Sequence, residues 1–135
     1  MFEWTHTVTS TAAPGQVWPL YADVRRWLEW DSGLKAVSLD GPFVVGSSGT
    51  LQVEGQPLLT WVLPEVEETR SFTDVTEIPG VATLTFVHRI DPRPEGSALT
   101  HVVLIEGPAA DRLGPIVTSD TPEAMAALAR IAESA

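Results

Sequence analysis

The stretch Gln16–Gly33, "QVWPLYADVRRWLEWDSG", carries three of the chain's five tryptophans in eighteen residues. Val17, Trp18, Tyr21 and Val24 recur at helical spacing behind Pro14, a residue suited to a first helical turn. Pro19 removes an internal donor and keeps any helix short. The expectation is two short helices broken near Asp23. Trp27 and Trp30, three residues apart, can turn their rings to one side.

Upstream the pattern changes. Phe2, Trp4, His6 and Val8 share one parity and Glu3, Thr5, Thr7 and Thr9 the other, which predicts a half-buried strand with His6 pointing inward. Downstream, "LDGPFVVGSSG", "VEGQP", "EVEET", "EIPG" and "DPRPEGS" carry the turn chemistry of tight connections. Six strands fit between them, at 34–40, 48–54, 57–66, 69–77, 81–90 and 97–107. Such short spacing predicts an antiparallel meander.

From Leu113 the period becomes helical again, through Ile116, Val117, Ala124, Met125, Leu128, Ile131 and Ala132. A long amphipathic helix is expected, with Pro115 in a first turn. Pro122 follows Ser119-Asp120-Thr121, so the helix either kinks or restarts there.

Composition bounds the function. A chain of 135 residues fits one domain, expected over 1–135, and buries roughly two-thirds of its unfolded surface. Eight basic against eighteen acidic residues give a net charge of −10, which argues against nucleic acid and anionic membranes. The absence of cysteine excludes disulfides, thiolate metal sites and a cysteine nucleophile. The N-terminus lacks the basic and apolar regions of a signal peptide, and no apolar run approaches a membrane span, so a cytoplasmic protein is expected. A homodimer is compatible with the sequence but not argued from it.

A strand, two short helices, six antiparallel strands and a C-terminal helix is the order of the α+β helix-grip fold. Here the chain resembles the START-like, or Bet v 1-like, superfamily and its bacterial polyketide cyclase/dehydrase-like branch, known as SRPBCC. The resemblance rests on Val17-Trp18, Ala22-Asp23-Val24, Trp27–Asp31, Gly41-Pro42-Phe43 with Gly46, Arg70-Ser71-Phe72, Phe86 with His88, Thr100-His101 and Gly107-Pro108. It implies a curved seven-stranded sheet wrapped around the C-terminal helix, with an apolar cavity between them. It also implies that Trp27 and Trp30 lie on the second short helix near the sheet rim, as packing anchors first and pocket wall second. Members bind sterols, lipids, polyketides or hormones, and some catalyse cyclisation and dehydration; the fold fixes no reaction.

Strand parity nominates the site. Ala82, Leu84, Phe86, His88 and Ile90 form one face. If Ile90 pairs with Ser97, Phe86 lies opposite His101, and Leu99, His101, Val103 and Ile105 also face inward. Leu59, Trp61 and Leu63 share an inner parity, whereas Arg89 and Glu106 fall outside. Trp27, Trp30, Trp61, Leu84, Phe86, His88, His101, Leu113, Val117 and Leu128 are therefore the candidate ligand-binding residues. His88, on an apolar parity beside an aromatic, is the candidate catalytic residue. The three histidines lack His-x-His or HExxH spacing, and no metal or cofactor is expected. Glu65, Glu67 and Glu68 read as a solvated turn, and "GSSG" at 46–49 as a hairpin turn.

Three functions compete. An inner face of aromatic and aliphatic residues with few polar groups favours binding of a hydrophobic, lipid- or polyketide-like molecule. The alternative is a cyclase or dehydratase using an inward histidine as general acid/base. A regulatory module moved around Trp27–Asp31 is the third, which nothing in the sequence singles out.

Overall fold

The computed structural model describes residues 1–135. Seven antiparallel strands form one curved sheet: β1 (Phe2–Ser10), β2 (Leu34–Asp40), β3 (Ser48–Val53), β4 (Leu59–Glu67), β5 (Ser71–Ile78), β6 (Ala82–Arg93) and β7 (Gly96–Glu106). Their spatial order is β1-β7-β6-β5-β4-β3-β2. The period-two pattern of β1 becomes a regular alternation of exposed and half-buried residues.

The β6–β7 register differs from the expected one by two residues. Ile90 pairs with Leu99, and His88 rather than Phe86 faces His101. Parity is kept, so the inward set is unchanged. The reason is the length of β6, which runs through Pro92 to Arg93 before a tight turn to Gly96. Pro92 is tolerated because the β5 ladder stops at Arg89, leaving that side of β6 without a strand to receive a donor.

A bulge between Val62 and Glu65 bends β4. At Gly49, where β3 meets β2, a Cβ would run into the Ser38 carbonyl oxygen; the two backbones approach because no side chain separates them.

Helix α1 (Pro14–Ala22) starts with the Ala13 N–H donating to Gln16 Oε1 at 2.8 Å. Pro19 lies inside it without ending it, and Val17, Leu20 and Tyr21 are its buried residues. Asp23, extended, then breaks the chain direction and accepts from the Arg25 N–H at 3.2 Å. A 3₁₀ turn (Val24–Arg26) leads into α2 (Trp27–Trp30).

The C-terminal helical region is bent, as α3 (Ala110–Thr118) and α4 (Thr121–Glu133). Pro122 opens α4, whereas Pro115 sits inside α3 and not in its first turn. Gly114 lets α3 lie directly on β1, since a Cβ there would meet the Phe2 ring. Ser10 ties β1 to α4, its hydroxyl donating to the Ala129 carbonyl at 3.1 Å and to Glu133 Oε2 at 2.9 Å.

Candidate functional site

The space enclosed by sheet and helices contains two apolar clusters. The larger joins α1, α2 and α4 to one side of the sheet through Tyr21, Trp27, Trp30, Trp61, Phe72 and Leu128, among others. The smaller gathers Leu84, Val103 and Ile105 with half-buried Phe2, Trp4, Phe86, Leu113 and Val117 under α3. Polar side chains run obliquely between them. His6 pairs with His101, His101 with His88, and His88 with Phe72. Asp74 and Thr76 continue the line along the inner parity of β5, opposite Phe86 and Leu84.

Aromatic contacts fix this line from the helix side. The Tyr21 hydroxyl and His101 Nε2 share a hydrogen bond of 2.8 Å. The His88 ring stacks on Phe72 with centroids 4.0 Å apart and meets His101 edge-on at 4.5 Å. Trp27 stacks on Phe72 and donates its indole N–H to the Tyr21 carbonyl at 2.8 Å; Trp30 donates to the Leu20 carbonyl at 3.2 Å. Both indoles are therefore anchors that hold α2 against α1 and the sheet. Trp61, fully buried, donates to the Thr50 carbonyl at 3.1 Å.

Asp74 is 5% exposed, and its carboxyl faces His88 Nδ1 at 3.8 Å, too far for a hydrogen bond. Burial raises its pKa to about 8. Burial also lowers that of His88 to about 3, although contacts to backbone carbonyls work the other way. The cost of burying two charges exceeds what a 3.8 Å contact returns, so at pH 7 the pair is a protonated carboxyl beside a neutral imidazole. His88 Nδ1 lies 3.4 Å from the Phe72 carbonyl, which assigns its proton to Nδ1 and the lone pair to Nε2. His101 is also held neutral, by burial first and then by His88 and His6. Thr76 Oγ1 is fully buried with no hydrogen-bond partner. Such a line offers donors and acceptors without net charge.

The ten expected ligand-binding residues divide between the two clusters and the line between them. Trp27, Trp30, Trp61 and Leu128 belong to the larger cluster, Leu84, Phe86, Leu113 and Val117 to the smaller, and His88 and His101 to the polar line between them. Two depressions lie elsewhere. One of about 500 Å³ is bordered by Ala22–Arg25, Val37–Leu39 and Gly41–Phe43. One of about 200 Å³ lies between α2 and α4, with Trp30 on its wall. No three His, Asp or Glu side chains gather as a metal site. No helix is long and apolar enough to cross a membrane.

The family model described as polyketide cyclase / dehydrase and lipid transport matches residues 1–133. The chain belongs to this family. Solved structures of low sequence identity share its shape. The MLL2253 protein from Mesorhizobium loti superimposes with a TM-score of 0.79 at 14% identity, covering 98% of both chains. Ara h 8.0201 gives 0.76 at 12%, covering 99% of both. The di-domain ARO/CYC StfQ from the steffimycin biosynthetic pathway gives 0.82 at 8%, with 98% of this chain on 50% of that one. Among functionally curated proteins, none matches the sequence. The family name spans enzymes and carriers, so the chemistry has to be argued from the residues.

Tyr21, Asp74 and Thr76 are absent from the sequence-derived site. A signal for two of them was present in "SFTDVTEI", where Asp74 and Thr76 share the parity of Phe72 and Ile78. Tyr21 sits on the apolar stripe of α1 and gives no sign that its hydroxyl meets a histidine.

Proposed function

We propose that the chain binds a hydrophobic small molecule, lipid- or polyketide-like, between the concave face of the sheet and α3–α4. The observation that carries this reading is Thr76 Oγ1, buried without a partner, next to an Asp74 carboxyl that is not hydrogen-bonded. Leaving the Thr76 hydroxyl unpaired costs about 1–3 kcal/mol, a cost a ligand oxygen would remove. Leu84, Phe86, Leu113 and Val117 supply apolar walls around them, and half-buried Phe86 and Trp4 mark the looser part of the core. The α3 segment packs on β1 and β7 and sets Leu113 and Val117 on the smaller cluster, so an outward swing of α3 would uncover Phe86 and Leu84. Native mass spectrometry of the protein isolated from its own source tests this. The expected result is a reproducible mass excess that disappears on denaturation; a bare polypeptide mass under gentle conditions would contradict it.

The Asp74–His88 pair favours a second reading, dehydration of a β-hydroxy ketone. His88 Nε2 takes the α-proton, the Cα–Cβ double bond forms as the Cβ–O bond breaks, and the Asp74 carboxyl protonates the departing hydroxyl to release water. Passage of the Nε2 proton through solvent to the Asp74 carboxylate, with the Nδ1 proton kept, restores the pair. Dehydration of 4-hydroxy-4-phenylbutan-2-one, followed by ultraviolet absorbance, is expected to vanish in both His88→Gln and Asp74→Asn. Turnover that survives in either variant would exclude this mechanism.

A further inference from the structure

The geometry points to a polar subsite, formed by Asp74, Thr76 and His88, that takes the carbonyl or hydroxyl oxygen of an uncharged apolar ligand and turns carboxylates away. It rests on the ligand-binding reading above and adds the chemical class.

The concave face lacks a buried cation. None of the eight basic residues is buried, so no lysine or arginine is available to receive a buried anion. The imidazoles cannot substitute for one, because His88 and His101 are held neutral by burial. A carboxylate entering here would be a buried negative charge with no cation to balance it, at a cost of several kcal/mol that a hydrogen bond from the Asp74 carboxyl offsets only in part. A ketone or hydroxyl meets the opposite situation. The protonated carboxyl of Asp74 donates to a carbonyl oxygen, Thr76 Oγ1 can donate or accept, and His88 Nε2 accepts from a hydroxyl. All three lie at the seam between apolar clusters, where a ligand's carbon skeleton finds Phe86 and Leu84 on β6.

The titratable groups along the polar line that ends at Asp74 are few. His88 comes from β6, His101 from β7, His6 from β1 and Tyr21 from α1. From β4, Glu65 is exposed. On α3 and α4 the charged residues are exposed, and Asp120, which precedes α4, is half-buried near Asp31. Nothing in this set neutralises an incoming carboxylate.

Isothermal titration with 2-acetonaphthone and 2-naphthoate, which differ only in a methyl against an oxyanion, reads the selectivity. At pH 6.5 the ketone is expected to bind at least about tenfold more tightly. Its affinity should fall as pH rises through about 8, where Asp74 loses its donor. Asp74→Asn keeps a donor amide and should give a flat profile across that range, whereas Asp74→Leu, which has no donor, should bind the ketone more weakly. Equal affinity of the wild-type chain for the two probes, or a ketone affinity undiminished in a folded Asp74→Leu, would overturn the subsite while leaving ligand binding intact. Failure of both probes to bind the wild-type chain would overturn the two together.

Discussion

His88 and His101 face each other across β6 and β7, their rings edge-on with centroids 4.5 Å apart. Two imidazoles this close are tolerated because both are neutral. Each is fixed by a different neighbour: His101 by the Tyr21 hydroxyl, His88 by stacking on Phe72.

Acid should therefore weaken the fold through this pair. His88 titrates at about 3 in the folded chain against an ordinary 6.5, so between those values the unfolded chain binds more protons. Stability falls as pH drops from about 6.5 towards 3. Asp74 acts in the other direction. Its proton is held to about 8 in the folded chain against an ordinary 3.8, so stability falls as pH rises between those values. Urea midpoints from pH 4 to 9 should show His88→Gln flattening the acid limb and Asp74→Asn the alkaline limb. Parallel profiles for both variants and wild type would show that neither group is shifted.

Tyr21→Phe removes the partner of His101 Nε2 while keeping the ring that contacts Phe72, His88 and His101. A buried acceptor is left unpaired, and the expected loss is about 1–3 kcal/mol. Equilibrium urea unfolding measures it; an unchanged midpoint would mean that the hydrogen bond contributes nothing net.

Thr76→Val should act in the reverse sense. It replaces an unpartnered buried hydroxyl by a methyl of similar shape, so the ligand-free chain should gain about 1 kcal/mol. Binding of a ketone probe should weaken in the same variant, a trade between stability and function. A destabilised variant with unchanged binding would place a partner on Thr76 that is part of the folded chain.

Trp27→Ala should cost about 3–5 kcal/mol, because the indole is 6% exposed and packs on Trp61 and Phe72. Trp27→Phe retains most packing and loses only the bond to the Tyr21 carbonyl, for about 1 kcal/mol. Thermal unfolding of the two variants separates anchor from ornament.

The fold was legible because its signals are local. Alternation in β1, turn chemistry between strands and Pro122 opening α4 each act within a few residues. The β6–β7 register was not, since "DPRPEGS" reads as a long loop until it is known that β5 ends opposite Arg89 and frees Pro92 to stay in the strand. The site was half legible. Apolar parity revealed His88 and His101, and it extends to Asp74, which shares the parity of Phe72 and Ile78, but a carboxyl is ordinarily found at the surface and parity alone gives it no role. Its meaning depends on the absence of a buried cation, a property of the assembled concave face and not of any segment.

The location of the bound ligand is the most direct test. In a ¹H–¹⁵N correlation titration with 2-acetonaphthone, the account predicts shifts at the amides of Asp74, Thr76, Phe86 and His88, on β5 and β6. Shifts confined to Ala22–Arg25 and Gly41–Phe43, around the 500 Å³ surface depression, would contradict it.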